Sequence, residues 1–463
     1  MKPKTLNLIK HLALALCLGL FGIATASGQS TRIWQLGTSA PFSGVGNGWN
    51  TVPVAGDVAR FGRTGLDQYP VNSAFTVNLV GNVTNGYIRL NQVNAFTMTL
   101  DLAGYTYEAT SNGGSTSGSV VGRDTGDTNT LILTSSAAGG AFTSNGLYVG
   151  RIADTVGVVS VQGGNTTMNL NTTIAQIGMA GVGTLEIKDG AKLNSTAEVQ
   201  AGTGVSGQGT ILIDGTGSKW TTNSEVRISA SSTSAGFLTV TNGGVLENTA
   251  TGSNGNINFA TVAGSTATVL VEDGGQIIAG GSLNIGGRLT TTGGTANVTV
   301  GQGGSLQAAA LRIYSGGTLL IDGGIASATN LLGSTVPAGM SGEIALTLYN
   351  TNPLITIAST VTLDSSLSNL TLSLGTGASY AVNDEIFLIR YGTLNGTFSN
   401  YTEGQTFQLG NYDVQFSYAL SSGGNNFIGL TVLSVIPEPS TGLLFGLALL
   451  VAAGGRKLRG LRK

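Results

Sequence analysis

Any acid–base or ligand chemistry in this 463-residue chain falls to carboxylates and guanidinium groups, because it contains one cysteine, Cys17, and one histidine, His11. Serine–histidine–carboxylate catalysis, cysteine nucleophiles and histidine or thiolate metal centres all need side chains that are missing downstream of residue 17. Carboxylates do recur with a pattern. Glu198 and Glu225 stand 27 residues apart, each two residues before a polar position in a series that reads Gln200, Arg227, Asn258, Asn284 and Arg312. Beside that series run Glu198, Glu225, Asn256, Ser282 and Ala310. A carboxylate pair is what glycoside hydrolysis requires, and an Arg or Lys base on one strand face is the alternative for a lyase. Glu198, Glu225 and Arg227 are therefore expected to form a polar cluster, and the simplest version of it is a solvated face with an exposed ion pair worth ~0–1 kcal/mol. Asp189, Asp273 and Asp322 each precede a glycine. Calcium ligation is conceivable there, but capping of their own turns is the simpler role, and the G-G-x-G-x-D repeat of calcium-binding solenoids is missing. No catalytic residue, metal site or cofactor is assigned, and the protein is expected not to be an enzyme.

The elements that hold these residues are short strands in a repeat. An apolar-x-apolar unit recurs as Leu185/Ile187, Ile211/Ile213, Leu238/Val240, Val269/Val271, Val298/Val300 and Leu319/Ile321, at steps of 26, 27, 31, 29 and 21 residues. A glycine turn and one more apolar residue follow most units: Leu193, Leu246, Ile277 and Leu306 each fall six positions after the unit ends. A second alternating unit keeps pace as Val199/Ala201, Val226/Ile228, Ile257/Phe259, Leu283/Ile285 and Leu311/Ile313. Alternation with period two puts the apolar members on one strand face. Two short strands per period leave no room for helices, so the expected fold is all-β: a parallel β-solenoid of the right-handed β-helix kind, each coil burying its inner face against its neighbours. Weaker copies extend upstream through Leu131/Leu133, Leu147/Val149, Val159/Val161 and Ala175/Ile177. From about Ser341 the period is expected to break, with longer strands over Ile344 to Tyr349, Leu370 to Leu374, Glu385 to Arg390, Tyr412 to Tyr418 and Phe427 to Leu433 forming a C-terminal antiparallel β cap or a small β-sandwich.

Composition agrees with a folded chain. Hydrophobic residues make up 41% against 10% charged, which excludes a disordered polyelectrolyte. Between Ser27 and Ile436 there are 13 basic and 22 acidic residues, a net charge of −9. Nucleic-acid binding needs clustered positive charge and is not expected.

Both ends read as processing segments. Lys2, Lys4 and Lys10 precede the apolar stretch Leu12 to Ile23, and Ala24-Thr25-Ala26 is a small-x-small cleavage pattern, so the mature chain is expected to begin at Ser27, without Cys17 and His11. At the other end, the uncharged run Thr441 to Gly455 is followed by Arg456, Lys457, Arg459, Arg462 and Lys463. As a helix this run would span roughly 22 Å, short of the ~30 Å hydrocarbon core. Its basic flank places the rest of the chain across the inner membrane.

That tail, with Pro437, Glu438, Pro439 and Ser440 ahead of the apolar run, resembles the PEP-CTERM sorting signal of Gram-negative bacteria that secrete exopolysaccharide. The resemblance implies that an exosortase-like transpeptidase of the inner membrane recognises Pro437 to Pro439 and releases the protein to the cell surface or beyond. The repeats, best seen in Leu238-Thr239-Val240-Thr241-Asn242-Gly243-Gly244, are similar to autotransporter-associated β-strand repeats of secreted passenger domains. Trp34, Trp49-Asn50, Pro53, Gly56-Asp57 and Phe61 resemble the opening segment of such proteins. That segment is expected to shield the first strand edge, with sugar binding by exposed aromatics as the alternative. In related proteins a Gly-Asp turn precedes a late strand; here Asn383-Asp384 takes that place. The organisation expected is a signal peptide over 1–26, an N-terminal β cap and first coils over 27–125, solenoid repeats over 126–330, a C-terminal β region over 331–434 and the sorting segment with its membrane helix over 435–463. The function implied is that of an exported, non-enzymatic surface or matrix protein associated with exopolysaccharide or adhesion. The alternative is a carbohydrate-active β-helix enzyme working with carboxylates.

Overall fold

The computed structural model describes residues 31–34, 40–42, 52–54, 57–61, 74–92, 95–111, 118–171, 174–289, 291–332, 334–335, 338–339, 342–365 and 368–436. Over these the chain is a parallel β-solenoid of about 10 turns closed by antiparallel strands. Its first face is a 13-stranded parallel stack. The apolar-x-apolar units lie on it in unbroken register: Leu185 pairs with Ile211, Ile211 with Leu238, Leu238 with Val269, Val269 with Val298 and Val298 with Leu319. All of these side chains are buried. Each aliphatic side chain removed from water contributes ~1.5–3 kcal/mol, and in a solenoid that gain depends on the neighbouring coil being present.

Each coil has three strand faces rather than the expected two. Three separate strands carry them in the middle coils and two in later ones, where Gln276–Ile285 and Ser305–Ile313 each supply both the second and the third face. In one turn the chain runs through Val182–Lys188, Lys192–Ser195 and Val199–Ala201. The next turn repeats this as Gln208–Asp214, Lys219–Thr222 and Val226–Ile228. The residues read as following a turn, Leu193, Leu246, Ile277 and Leu306, are the inward members of a second parallel face, and Trp220 joins them between Leu193 and Leu246. A second strand was hard to see because its other inward position is polar. Ser195, Thr222 and Asn248 stack there in register, all buried. Ser195 Oγ accepts the Trp220 indole N–H at 2.9 Å, and Asn248 Nδ2 donates to the carbonyls of Ser224 and Asn254 at 2.9 Å each. Hydrogen-bonded in this way, a polar side chain can be buried without the full desolvation cost.

The corner after the third strand is left-handed coil after coil. Gly150, Gly178 and Gly202 have φ of 63°, 68° and 67°, and the equivalent Ser229 and Ala260 are held at 66° and 54°. At Gly178 a Cβ would stand 1.8 Å from the carbonyl oxygen of Gln208 in the next coil, so only glycine fits. At Ser229 the side chain offsets the strain by bonding the carbonyl and hydroxyl of Ser234 at 3.0 and 2.8 Å.

Aromatic side chains concentrate at the two ends of the core. Near the N-terminus Trp34, 1% exposed, stacks on Phe75 at 6.0 Å, and Tyr107 stacks on Phe142 at 5.4 Å. Trp34 is thus a packing residue and not a sugar platform. At the far end Tyr401 stacks on Phe416 at 4.7 Å, and Phe387 meets Phe427 at 4.3 Å.

Parallel pairing continues past Ser341, through Glu343–Leu348 and Asn369–Leu374, where an antiparallel cap was expected. The expected break in period is not there: the first face steps 25 residues from Leu319 to Ile344 and 26 from Ile344 to Leu370, within the range of the earlier coils. Antiparallel pairing starts at Glu385–Tyr391, which meets Asn425–Val435, and that strand in turn pairs with Tyr412–Ser422. In the turn before Glu385, Asn383 adopts φ 71° and the Asp384 carboxylate accepts the Ala381 N–H at 2.7 Å. Asparagine tolerates the left-handed conformation that a glycine would otherwise supply.

The exposed edge of Asn369–Leu374 is closed by a side chain. Asn400 Oδ1 accepts the Leu370 N–H at 3.1 Å, and its Nδ2 donates to the Leu370 carbonyl at 2.7 Å, as a further strand would. Asn400→Ala should therefore cost ~1–3 kcal/mol by stranding both groups. It should also speed hydrogen exchange at the Leu370 amide, while Asn400→Asp, which keeps only the acceptor, should fall between. Unchanged exchange at Leu370 in the alanine variant would show that the edge is closed by other means.

Candidate functional site

The polar series Gln200, Arg227, Asn258, Asn284 and Arg312 forms one column on the outer side of the third face, each residue pairing with the next across successive coils. The column points away from the core yet is not a solvated face: Asn258 and Asn284 are fully buried and Gln200 is 8% exposed. The strands that carry it are only three residues long at Val199–Ala201, Val226–Ile228 and Ile257–Phe259, and their connections enclose them. One connection is the 3-10 turn Gly252–Gly255, and another is a two-stranded antiparallel hairpin that pairs Gly287–Arg288 with Thr291–Thr292.

The three expected residues are brought together. Arg227 Nε lies 2.6 Å from Glu198 Oε1 and 3.2 Å from Glu225 Oε2, so one guanidinium bridges the two carboxylates. Gln200 Nε2 donates to Glu198 Oε1 at 2.6 Å. The expected exposed ion pair is instead a part-buried network centred on Glu225, which Arg288 joins from the hairpin. Arg288 Nε donates to Glu225 Oε1 and its Nη2 to Oε2, both at 2.7 Å. Asn258 Nδ2 adds a further bond to Oε1 at 2.7 Å. Each oxygen of Glu225 thus accepts two hydrogen bonds, filling the roughly four acceptor sites of a carboxylate. The same bonds raise the Arg288 guanidinium further above its usual range. A carboxylate so occupied has no lone pair directed at a substrate. Its local work is to tie the hairpin down over the groove, the bidentate Arg–carboxylate geometry being the strongest of its kind.

Next to this network, Asn256, Ser282, Asn284, Leu289 and Arg312 line a cleft of about 490 Å³. Tyr314, buried beneath the hairpin, donates its one O–H to the Leu289 carbonyl at 2.6 Å, with Asn284 Oδ1 3.4 Å from the same oxygen, and burial pushes its phenol above the usual range. Arg312 Nη1 donates to the Leu289 carbonyl at 3.5 Å, its guanidinium also lies against the Tyr314 hydroxyl, and its buried Nε has no hydrogen-bond partner. Among the described residues no carboxylate pairs with Arg312, so the cleft offers a guanidinium to hydroxyls or anions, while Asn256 and Asn284 are buried and hydrogen-bonded within the wall.

Asp189 and Asp273 sit in left-handed turns at φ 57° and 49°, each followed by a left-handed glycine. Asp322 accepts the Tyr349 hydroxyl at 2.8 Å. Among the described residues no three His, Cys, Asp or Glu side chains gather as metal ligands. Ala24, Ala26 and Ser27, the motif Pro437, Glu438, Pro439 and Ser440, the run 441–455 and the basic residues Arg456, Lys457, Arg459, Arg462 and Lys463 lie outside the described residues. No helix among the described residues is long and apolar enough to cross a membrane. Sequence reasoning missed Arg288 and Tyr314. The glycine pairs Gly286-Gly287 and Gly293-Gly294, which frame the hairpin, were the available signal for an excursion.

No family model matches this chain, and no curated protein matches it. It is a β-solenoid protein by its geometry alone.

Proposed function

We propose that this is an exported, non-enzymatic protein of the cell surface or extracellular matrix, whose solenoid associates with exopolysaccharide. In this reading the signal segment is removed at Ala26. The 441–455 run is a membrane helix held at the inner membrane until an exosortase-like transpeptidase acts at Pro437–Ser440. The coil is taken as right-handed, as crossovers between parallel strands are in ~98% of cases.

The observation that carries the reading is the outward surface of the first face. Thr97, Thr130, Thr184, Thr210, Thr268 and Thr318 occupy one outward column along the stack, separated by only Val158, Phe237 and Asn297. A long hydroxyl-bearing column suits contact with a hydrated polymer, and the outward positions beside it carry Glu186, Lys188 and Asp214, of which the first two pair with each other at 2.7 Å. The occupied state of Glu225 favours binding over carboxylate catalysis. Fractionation of producing cells with and without the transpeptidase tests the sorting half: the reading expects a larger, membrane-retained form when the enzyme is lost, and identical size and location in both would refute it. Release of reducing ends from acidic or neutral polysaccharides by the mature protein, abolished in both Glu198→Gln and Glu225→Gln, would replace binding by catalysis.

A further inference from the structure

A second cleft, of about 370 Å³, lies where the first face turns into the second, lined by Gln302, Ile325, Tyr349, Asn350, Asn352 and Pro353. Its size falls within the roughly 300–1,000 Å³ of small-molecule sites. Tyr349 is its one aromatic side chain, and it is 41% exposed, unlike the packed rings of the core.

The ring is held from two sides. Its hydroxyl donates to Asp322 Oδ1 at 2.8 Å. Gly375 stands one coil further along, directly after Leu374, the register partner of Leu348. A Cβ there would lie 2.2, 2.4 and 2.5 Å from Tyr349 Cε1, Cδ1 and Cζ. A point in the ring plane beyond Cε1 would be much farther from Cδ1 and Cζ than from Cε1. The near-equality of the three distances therefore puts Gly375 over the face of the ring. One face is packed on glycine backbone, and the ring presents its other face to the cleft.

The remaining lining is apolar or amide. Ile325 is 57% exposed, and the loop that carries the two asparagines is braced by the Asn352 N–H donating to Asn350 Oδ1 at 2.8 Å. None of the lining residues is charged, and the Asp322 carboxylate close by is engaged by the tyrosine. A fixed aromatic face flanked by small apolar groups and amides matches a pyranose ring, which has an apolar C–H face and a rim of hydroxyls.

We propose that Tyr349 is the stacking platform of a subsite for a neutral sugar residue of the bound polysaccharide. The proposal rests on the polysaccharide-binding reading above and adds the place and the charge class of the sugar. The cationic cleft at Arg312 is separate from it in chain and in chemistry.

The test is affinity electrophoresis of the full chain through gels containing dextran, galactan or polygalacturonate, and the producer's own exopolysaccharide. Retardation by a neutral polymer is expected, roughly tenfold weaker in Tyr349→Ala and retained in Tyr349→Phe, which keeps the ring face. If Tyr349→Ala does not fold, Ile325→Glu, at an exposed position on the same cleft, replaces it and should weaken retardation likewise. Binding to neutral polymers that is indifferent to the cleft variant would overturn the subsite and leave the polysaccharide reading standing. Retardation by polygalacturonate alone would overturn the neutral assignment. Retardation by none of the four polymers would overturn the polysaccharide reading and the subsite with it.

Discussion

Trp220→Ala should destabilise the middle of the solenoid by about 4 kcal/mol, the usual scale for truncating a buried tryptophan. The side chain is fully buried and is the largest inward group on the second face between Leu193 and Leu246. Its removal opens a cavity that small neighbours cannot fill. It also strands Ser195, whose hydroxyl accepts the indole N–H. Because coils touch only their neighbours, the damage should be local. Amides in Lys192–Ser195 and Val245–Asn248 should lose protection from hydrogen exchange, and those in Glu343–Leu348 should keep it. Trp220→Phe keeps most of the volume and should cost about 1–2 kcal/mol. A loss below about 1 kcal/mol for the alanine variant in urea unfolding would mean that the coil closes around the gap, contrary to the rigid register seen along this face.

The second large effect belongs to Glu225→Ala, expected to cost about 2 kcal/mol, less than the ~3–5 kcal/mol of a fully buried pair because Arg288 and Arg227 keep 35% and 20% of their side chains exposed. The Glu225 side chain is only 10% exposed, and its loss leaves Arg288, Arg227 and Asn258 without their shared acceptor. Glu198→Ala should cost under about 1 kcal/mol, since its side chain is 24% exposed and Arg227 keeps Glu225. The hairpin should become the first site of proteolytic cleavage in the Glu225 variant, because Arg288 is its tie to the groove. Combining Glu225→Gln with Arg288→Met should restore part of the loss, because the buried charge left unpaired is then gone. If the double variant is as unstable as the sum of the single ones, Arg288 and Glu225 are not energetically coupled and the hairpin is held by Tyr314 and Leu289 instead.

These two sites differ in how far they could be read from the chain. Trp220 lies on a face whose apolar members were visible, but it falls seven positions after Ile213, where its counterparts fall six after theirs, because the connection there is one residue longer. The polar inward positions Ser195, Thr222 and Asn248 break the alternation, so the second strand shows in the sequence only as a glycine turn and one apolar residue. Arg288 was out of reach altogether. It meets Glu225 across 63 residues, and no local periodicity encodes a contact made by an excursion.

Period-two alternation over many copies needs no tertiary information to announce itself, since each Leu-x-Val unit requires an identical neighbour to bury its face. The all-β class, the parallel stacking, the inward columns from Leu131 onward and the presence of an antiparallel cap were therefore legible in the residues alone, whereas its start was not: Ile344–Tyr349 and Leu370–Leu374, expected in the cap, belong to the parallel stack. Side-chain partners across coils were not. Which guanidinium saturates Glu225, which amide closes the edge at Leu370, and which tyrosine is left with a ring face open depend on how loops of unequal length fold back over the stack. Those distances are set by the three-dimensional path of the connections, to which the repeat pattern is blind.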